Sequence, residues 1–251
     1  MDELEQTIVL VKAWPQASQK YGETVCCAGV TTTGEWRRLY PIRFRHLDGD
    51  AKFDRWDVIT YRPHSPSDDN RRESRRIDEA TLRKVRSMPK AERAGFFDPL
   101  FRRSIAEAAE LGESLTLVRP DGLRFKWRRR SQQEQAVDAA RRAEAQVQTS
   151  LFDPELSKLE LCPYDLRVAF DDAAGAHDMA CSDWESSAAF FNLRRRLGEK
   201  GALNHLRATY EEAYAVAGGV ALALGTVKKR PQQWLMLGVL RLDETVQQRL
   251  L

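Results

Sequence analysis

Several features that would place a protein in a familiar class are missing from this sequence of 251 residues. No apolar run approaches the length of about 18 residues that a membrane-spanning helix needs, so we expect no transmembrane segment. The N-terminus starts with acidic residues and lacks a basic stretch followed by a long apolar one, so we expect no secretory signal peptide. A cytoplasmic location follows.

The four cysteines, Cys26, Cys27, Cys162 and Cys181, include no CxxC pair. This spacing argues against a structural zinc site, and the apolar surroundings of Cys26 and Cys27 favour buried, reduced thiols. The fingerprints GxxxxGK[ST], GxGxxG, GxSxG and HExxH are absent as well, which leaves nucleotide hydrolases, serine hydrolases and zinc proteases unsupported. The sequence therefore gives no reason to expect a cofactor.

Charge is distributed unevenly along the chain. The formal net charge is +3, but residues 35–130 hold 24 Lys and Arg against 16 Asp and Glu, a balance of +8. The remaining residues hold 16 basic against 21 acidic side chains, a balance of −5. A basic part joined to an acidic one indicates that the first part binds a polyanion.

The patterns of the first 130 residues are typical of short β-strands. Apolar runs with β-branched residues at 7–13, 24–30 and 57–61, together with alternating large and charged residues at 35–44, favour a small barrel or sandwich over a parallel βαβ sheet. Residues 77–111 then show helical spacing: Asp78 is a suitable cap for EATLRKVRSM, which Pro89 would end. Two further strands are predicted on either side of a Pro120-Asp121-Gly122 turn.

The rest of the chain divides into a tether and a second module. Residues 131–160 are rich in Gln, Ala and Arg and predict an exposed helix and tether. Residues 161–251 predict two strands, two helices separated at Gly198, and two closing strands. The expected fold class is therefore α+β, with a β module at 1–130, the tether, and a ββααββ module at 161–251.

The densest basic cluster is SDDNRRESRR, which spans residues 67–76. A guanidinium group matches two phosphate oxygens at once, so four arginines on one loop suit a clamp for a nucleic-acid backbone. The alternative is a self-neutralised loop, because Asp68, Asp69 and Glu73 are interleaved with the arginines. The four candidate residues are Arg71, Arg72, Arg75 and Arg76.

Three other segments join positive charge to rings or to a strand end. Aromatic faces accept stacked bases while neighbouring cations follow the phosphates. On a strand, Trp36, Arg38 and Tyr40 would share one face. The alternative for any single ring is a place in the core. The candidates beyond the loop arginines are Trp36, Arg37, Arg38, Tyr40, Arg43, Arg45, Lys126, Trp127, Arg128, Lys228 and Lys229.

The string HDMACSDWE offers an enzymatic alternative. His177, Asp183 and Glu185 are close enough in sequence for acid/base chemistry or for ligation of Mg²⁺ or Mn²⁺ in a nuclease. The competing interpretation is a helix start, in which Ser182 or Asp183 caps the helix and Glu185 lies in its first turn.

A short motif lies in the tether. Residues 148–152 read QTSLF, which resembles the pentapeptide that binds bacterial sliding clamps. Gln148 would be the polar anchor, and Leu151 and Phe152 would enter a hydrophobic pocket. The same apolar pair could instead hold the tether against the protein's own core.

Several strings together resemble an uncharacterised prokaryotic family with a dual OB-fold domain. They are IVLVKA, GEWRRLYPIRFR, FDRWDVITY, ESRR, SLF, HDMACSDWE and LGTVKKRPQQWLMLGVL, which span most of the chain. The resemblance implies an OB-like small β-barrel with inserted helices in the first module, and barrels of the kind that bind oligonucleotides in genome maintenance or anti-phage defence. The ββααββ order departs from a plain OB barrel.

These observations predict a non-catalytic accessory protein that binds DNA or RNA. Backbone contacts predict an affinity that falls steeply with salt and depends little on sequence. A metal-dependent nuclease is one alternative, and a protein–protein adaptor that hooks a sliding clamp or a defence-system subunit is another.

Overall fold

The N-terminal part of the chain is a closed β-barrel. The structure is a computed structural model, and it describes residues 4–18, 22–147, 160–214 and 219–242. The strands of this part are β1 (Glu5–Lys12), β2 (Gln16–Ser18), β3 (Gly22–Thr31), β4 (Trp36–Ile42), β5 (Asp57–His64) and β6 (Ser74–Ser87).

Five of these strands pair in a ring of the order β1-β3-β4-β6-β5-β1. All neighbours in the ring are antiparallel except β4 and β6, which are parallel. Strand β2 is not part of the ring and pairs antiparallel with the first residues of β3. The ring is a closed five-stranded barrel and is consistent with an OB-like fold. The protein as a whole is mostly β with some helices.

Alternation along the strands fills the barrel. Inward-facing side chains such as Val9, Cys27 and Leu39 form one buried cluster with residues of β5 and β6. At one end the lumen is polar, because Arg37 bonds Glu5 at 2.7 Å and the Tyr61 hydroxyl donates to the same carboxylate at 2.7 Å. These bonds satisfy groups that burial would otherwise destabilise.

Strand β6 corrects one expectation from the sequence. The segment EATLRKVRSM was predicted to be helical, and it forms most of a 14-residue strand instead. Its residues are good helix formers, but they pair with β5 from Asp57 to His64 across two register shifts. Long-range pairing that closes the barrel thus overrides a weak local preference.

The chain then forms two short helices, three strands and a longer helix. The helices are α1 (Lys90–Phe97) and α2 (Ile105–Glu110), the strands are β7 (Phe101–Arg102), β8 (Leu115–Val118) and β9 (Asp121–Arg129), and the longer helix is α3 (Gln132–Val147). The Ser104 hydroxyl caps α2 by accepting from the Glu107 amide. Helices therefore do follow the barrel, though later than predicted.

The last part of the described chain contains four strands around a kinked helix. The elements are β10 (Tyr164–Asp172), β11 (Gly175–Ala180), α4 (Trp184–Ala208), a π-helical turn (Thr209–Ala213), β12 (Val220–Val227) and β13 (Arg230–Arg241). Gly198 has a φ of 68° inside α4, and this left-handed conformation kinks the helix where the sequence predicted a break.

These strands form two sheets, ordered β11-β10-β9 and β13-β12-β8-β7. Strands β8 and β9, which the sequence analysis assigned to the first module, pair with β12 and β10. In the described ranges, no helix combines the length and apolarity needed to cross a bilayer.

The outer face of the first barrel packs against the second sheet. Ile8, Leu10 and Ala28 are each at most 2% exposed and share one apolar cluster with residues of β8, β12 and β13. The partners on the second sheet are Leu115, Leu117, Ala221, Ala223, Leu237 and Leu240. Because this cluster is continuous, the two parts of the chain share a core.

A buried ion pair crosses the same junction. Arg55, which precedes β5, donates to the Asp183 carboxylate at 2.8 Å and to the Val239 carbonyl at 2.8 Å. Asp183 is 1% exposed and caps α4 by accepting from the Glu185 amide. Burial raises the pKa of Asp183, and the Arg55 guanidinium opposes that rise.

We expect Arg55→Ala to lower the free energy of unfolding by about 3 kcal/mol, because it leaves a buried carboxylate without its partner. Urea unfolding monitored by circular dichroism measures the change. The control is Arg103→Ala, which removes an 84% exposed arginine from its pair with Glu107 and should cost at most about 0.5 kcal/mol. Equal losses in the two variants would contradict a stabilising junction pair.

Candidate nucleic-acid interface

Two basic loops that are far apart in sequence meet in the structure. The first loop, residues 65–73, connects β5 to β6, and the second is the turn between β12 and β13. The Arg71 guanidinium donates to the Thr226 carbonyl at 3.0 Å, and Lys228 Nζ lies 2.7 Å from an Asp68 carboxylate oxygen. We call the surface formed by residues 67–76 and 228–230 the basic ridge.

Arg71 fixes the conformation of the first loop. Its Nε and Nη2 donate to the two oxygens of Asp69 at 2.9 and 2.6 Å, and the Ser74 hydroxyl donates to Asp69 at 2.9 Å. Burial alone would raise the pKa of Asp69, but the hydrogen bonds from Arg71 and Ser74 outweigh it and lower the pKa to about 2. Arg71 thus holds the loop against the second module, and its Nε, Nη1 and Nη2 already donate hydrogen bonds within the protein.

Four other cations of the ridge differ from Arg71 and Lys228 in their surroundings. The described part of the chain offers no acidic group within bonding distance of Arg72, Arg75, Lys229 or Arg230. Arg75 donates to the carbonyls of Arg72 and Ser74 at 2.9 and 2.8 Å, which orients its guanidinium group. Arg76 follows on β6 and is exposed.

The ridge lies beside the start of β4. A hydrogen bond from Arg37 is the main cause of the lowered pKa of Glu35, and the charges of Arg72 and Arg75 lower it further. Trp36, the next residue, is half-buried against the apolar cluster between the modules. The charges of Arg72 and Arg75 therefore reach the start of β4, whereas the Trp36 ring packs on the apolar cluster.

The predicted face of Trp36, Arg38 and Tyr40 is only partly accessible. Arg38 is 7% exposed and donates to the Ser114 carbonyl at 3.1 Å, with Glu73 at 3.8 Å. Arg37 points into the polar end of the barrel lumen, while Tyr40 is 40% exposed. Packing of the second module against this side of the barrel covers Arg38, whereas Arg37 is enclosed by the barrel lumen itself.

The remaining arginines of this segment are paired on other parts of the barrel. Arg43 Nε bonds Glu79 at 2.7 Å, and Arg45 lies 3.3 Å from Glu23. Both arginines come directly after β4, and their partners, on β6 and β3, are more than 20 positions away in sequence. The structure does not bring Arg43 or Arg45 into the ridge.

The basic run on β9 also has acidic neighbours. Lys126 bonds Asp178 at 2.9 Å, and Arg128 bonds Glu134 at 2.8 Å and also Asp165. Trp127 lies under the Arg207 guanidinium, 4.9 Å from its ring centroid. These three residues belong to the sheet β11-β10-β9, whereas the basic ridge lies on the sheets that contain β6 and β13.

The three residues of the nuclease alternative have three separate partners. His177 Nε2 lies 2.8 Å from Asp172, Asp183 bonds Arg55, and Glu185 lies 2.8 Å from Lys12. Asp183 and Glu185 occupy the cap and first turn of α4, as the competing interpretation proposed. Across the four described ranges, no group of three or more His, Cys, Asp or Glu side chains is arranged to hold a metal ion.

The clamp-like motif QTSLF, with Gln148, Leu151 and Phe152, lies outside the described residues. One feature that fixes the site was missed by the sequence analysis. Arg55, the junction residue, carries no sequence signal, because its partners Asp183 and Val239 come from distant segments.

The Asp69 carboxylate should make the docking of the loop pH-dependent. Its pKa in the folded protein is below its ordinary value, so its stabilising contribution is complete above about pH 4 and is lost as the pH falls towards 2. We expect the difference in unfolding free energy between the wild type and Asp69→Asn to be constant above about pH 5 and to shrink in acid. Urea unfolding across this pH range measures it, and a pH-independent difference would contradict the assignment.

Comparisons with known proteins place the chain in families without an assigned function. Residues 3–98 match a family described as "Domain of unknown function (DUF8758)", and residues 101–251 match one described as "Domain of unknown function (DUF8757)". No curated protein matches the sequence.

Solved structures resemble the chain only distantly. "Crystal structure of the tetrameric p202 HIN2" is 14% identical with a TM-score of 0.31, and the match covers 94% of this chain and 89% of that chain. "Structural mimicry for functional antagonism" is 11% identical with a TM-score of 0.34, over 94% of this chain and 88% of that chain. These scores are too low to support a conclusion. The match at residues 101–251 covers more than half of the sequence, and the chain therefore belongs to the DUF8757 family of domains of unknown function.

Proposed function

We propose that this protein binds the backbone of DNA or RNA along the basic ridge and that it has no catalytic activity of its own. The observation that carries the proposal is the docking of the loop at residues 65–73 onto the β12–β13 turn, through Arg71 to Thr226 and Lys228 to Asp68. This docking aligns cations from two modules on one surface. A polyanion with regularly spaced phosphates can contact several of them at once.

Four residues are the proposed phosphate contacts. Arg72 lies in the first loop and Arg75 at the start of β6, while Lys229 lies in the second loop and Arg230 at the start of β13. Guanidinium groups suit phosphate because their donors match two oxygens, whereas an ammonium group acts as a point charge. Such contacts position a backbone without reading its bases, so the expected binding depends weakly on sequence.

We further propose that residues 101–242 form a second OB-like barrel. Strands β8 and β9 follow one another directly, and the pairings β9-β10-β11 and β13-β12-β8 extend them on both sides. A parallel bridge from Cys181 to Met236 connects β11 to β13. When β8 and β9 are counted as one bent strand, the order β8/β9-β10-β11-β13-β12 repeats the strand order of the first barrel. The proposed boundary between the two barrels, near residue 100, lies where the first family match ends and the second begins.

Under this proposal the two loops of the ridge are equivalent elements. Each connects the fourth strand of its barrel to the fifth, and in OB folds this loop commonly contacts oligonucleotides. That support is an analogy at the level of fold, and the site itself carries the argument. A dual OB-like protein of this kind fits an accessory role in DNA maintenance or anti-phage defence, with a sliding clamp or a defence-system subunit as a conceivable partner.

The test is fluorescence anisotropy with labelled single-stranded DNA, duplex DNA and RNA across a salt series. Arg72→Ala/Arg75→Ala and Lys229→Ala/Arg230→Ala should each weaken binding at least about tenfold at about 50 mM salt. Each double variant should also reduce the slope of log K against log salt by about 1.8 for a duplex, because two phosphate contacts are lost.

The matched control is Arg195→Ala/Arg196→Ala, which removes two exposed arginines of α4 and leaves the ridge intact. Its affinity should stay close to that of the wild type. A control that weakens binding as much as the ridge variants would show a diffuse charge effect. Strand cleavage in the presence of Mg²⁺ or Mn²⁺ on a denaturing gel would promote the nuclease alternative, and the absence of binding to all three probes would overturn the proposal.

A further inference from the structure

The basic ridge contains a carboxylate that competes for one of its own cations. Lys228 Nζ lies 2.7 Å from Asp68, whose side chain is 79% exposed, while that of Lys228 is 44% exposed. The pair therefore lies at the surface that a ligand phosphate would approach. A carboxylate oxygen and a phosphate oxygen accept the same charge-assisted hydrogen bond from an ammonium group.

Asp68 and its neighbour Asp69 have different hydrogen-bond partners. Asp69 is engaged by Arg71 and Ser74 and maintains the loop. In the part of the chain that the structure describes, the side chain that bonds Asp68 is Lys228 from the other module. The hydrogen bond from Lys228 lowers the pKa of Asp68 below its ordinary value. Asp68 can thus be displaced without dismantling the loop.

We propose that Asp68 is a specificity-determining residue of the ridge, which occupies Lys228 in the free protein and so favours a ligand that contacts several neighbouring cations at once. This inference rests on the proposed function and names the class of ligand. The ligand is a polynucleotide rather than a mononucleotide or free phosphate.

The physical basis is effective concentration. Asp68 is tethered beside Lys228, so a free phosphate competes against a group present at millimolar or higher effective concentration. A polynucleotide that already contacts Arg72, Arg75 or Lys229 delivers its next phosphate at a comparable effective concentration. An exposed ion pair shifts such an equilibrium by up to about fivefold, so a polynucleotide can displace it.

The experiment compares wild type, Asp68→Asn and Asp171→Asn by anisotropy with the labelled oligonucleotide that binds the wild type best. Asp171→Asn is the matched control, since it removes one exposed carboxylate on β10, which lies 4.0 Å from Arg124. Asp68→Asn should bind about threefold more tightly at low salt, because no ion pair then has to break before Lys228 contacts the ligand. The slope of log K against log salt should stay close to that of the wild type, since Lys228 contacts a phosphate in both complexes. Added inorganic phosphate should compete at lower concentration against Asp68→Asn than against wild type.

A second substitution identifies the released cation. Lys228→Ala in the Asp68→Asn background should abolish the gain, and unfolding midpoints should confirm that all variants are folded. Equal gains in Asp68→Asn and Asp171→Asn, or wild-type binding with no gain in Asp68→Asn, would overturn the role of Asp68 and leave the ridge in place. No binding by either wild type or Asp68→Asn to any of the three nucleic acids would overturn the proposed function itself.

Discussion

The apolar contact between the first barrel and strands β8, β12 and β13 sets the positions of all the surface features described above. Side chains such as Leu10 and Leu117 are fully buried in it, and burial of this kind is the main favourable term in association of two structural units. Arg55 fixes the relative orientation of the two modules, because its hydrogen bonds to Asp183 and Val239 require one arrangement of them. The two loops of the basic ridge meet because that arrangement is fixed.

The same contact determines which surface of the first barrel remains available. Arg38 and part of Trp36 are covered by the second module, so the strand face that aromatic and basic residues seemed to mark is used largely for packing. An arginine that is 7% exposed and bonded to a carbonyl gains nothing from an external phosphate. The loops at the edge of the interface keep exposed cations, among them Arg72 and Lys229.

Net charge alone is a poor guide to the binding surface of this protein. Residues 35–130 carry a formal excess of eight positive charges, yet Arg43 is paired with Glu79 of β6 and Arg71 with Asp69 of its own loop. On β9, Lys126 and Arg128 are likewise paired with carboxylates. Neutralised pairs contribute little to steering or to counterion release. Within the described residues, Arg72, Arg75, Lys229 and Arg230 of the ridge have no such partner.

The sequence by itself determined the β-rich first barrel, the break of α4 at Gly198 and the capping role of Asp183, because alternation, glycine and cap chemistry act over a few residues. It identified both loops of the ridge as basic segments. Only the tertiary structure decided that residues 78–87 are a strand, that Arg37 and Arg38 are buried, and that Lys228 meets Asp68. Those outcomes depend on contacts between residues as many as 160 positions apart, which no local pattern records.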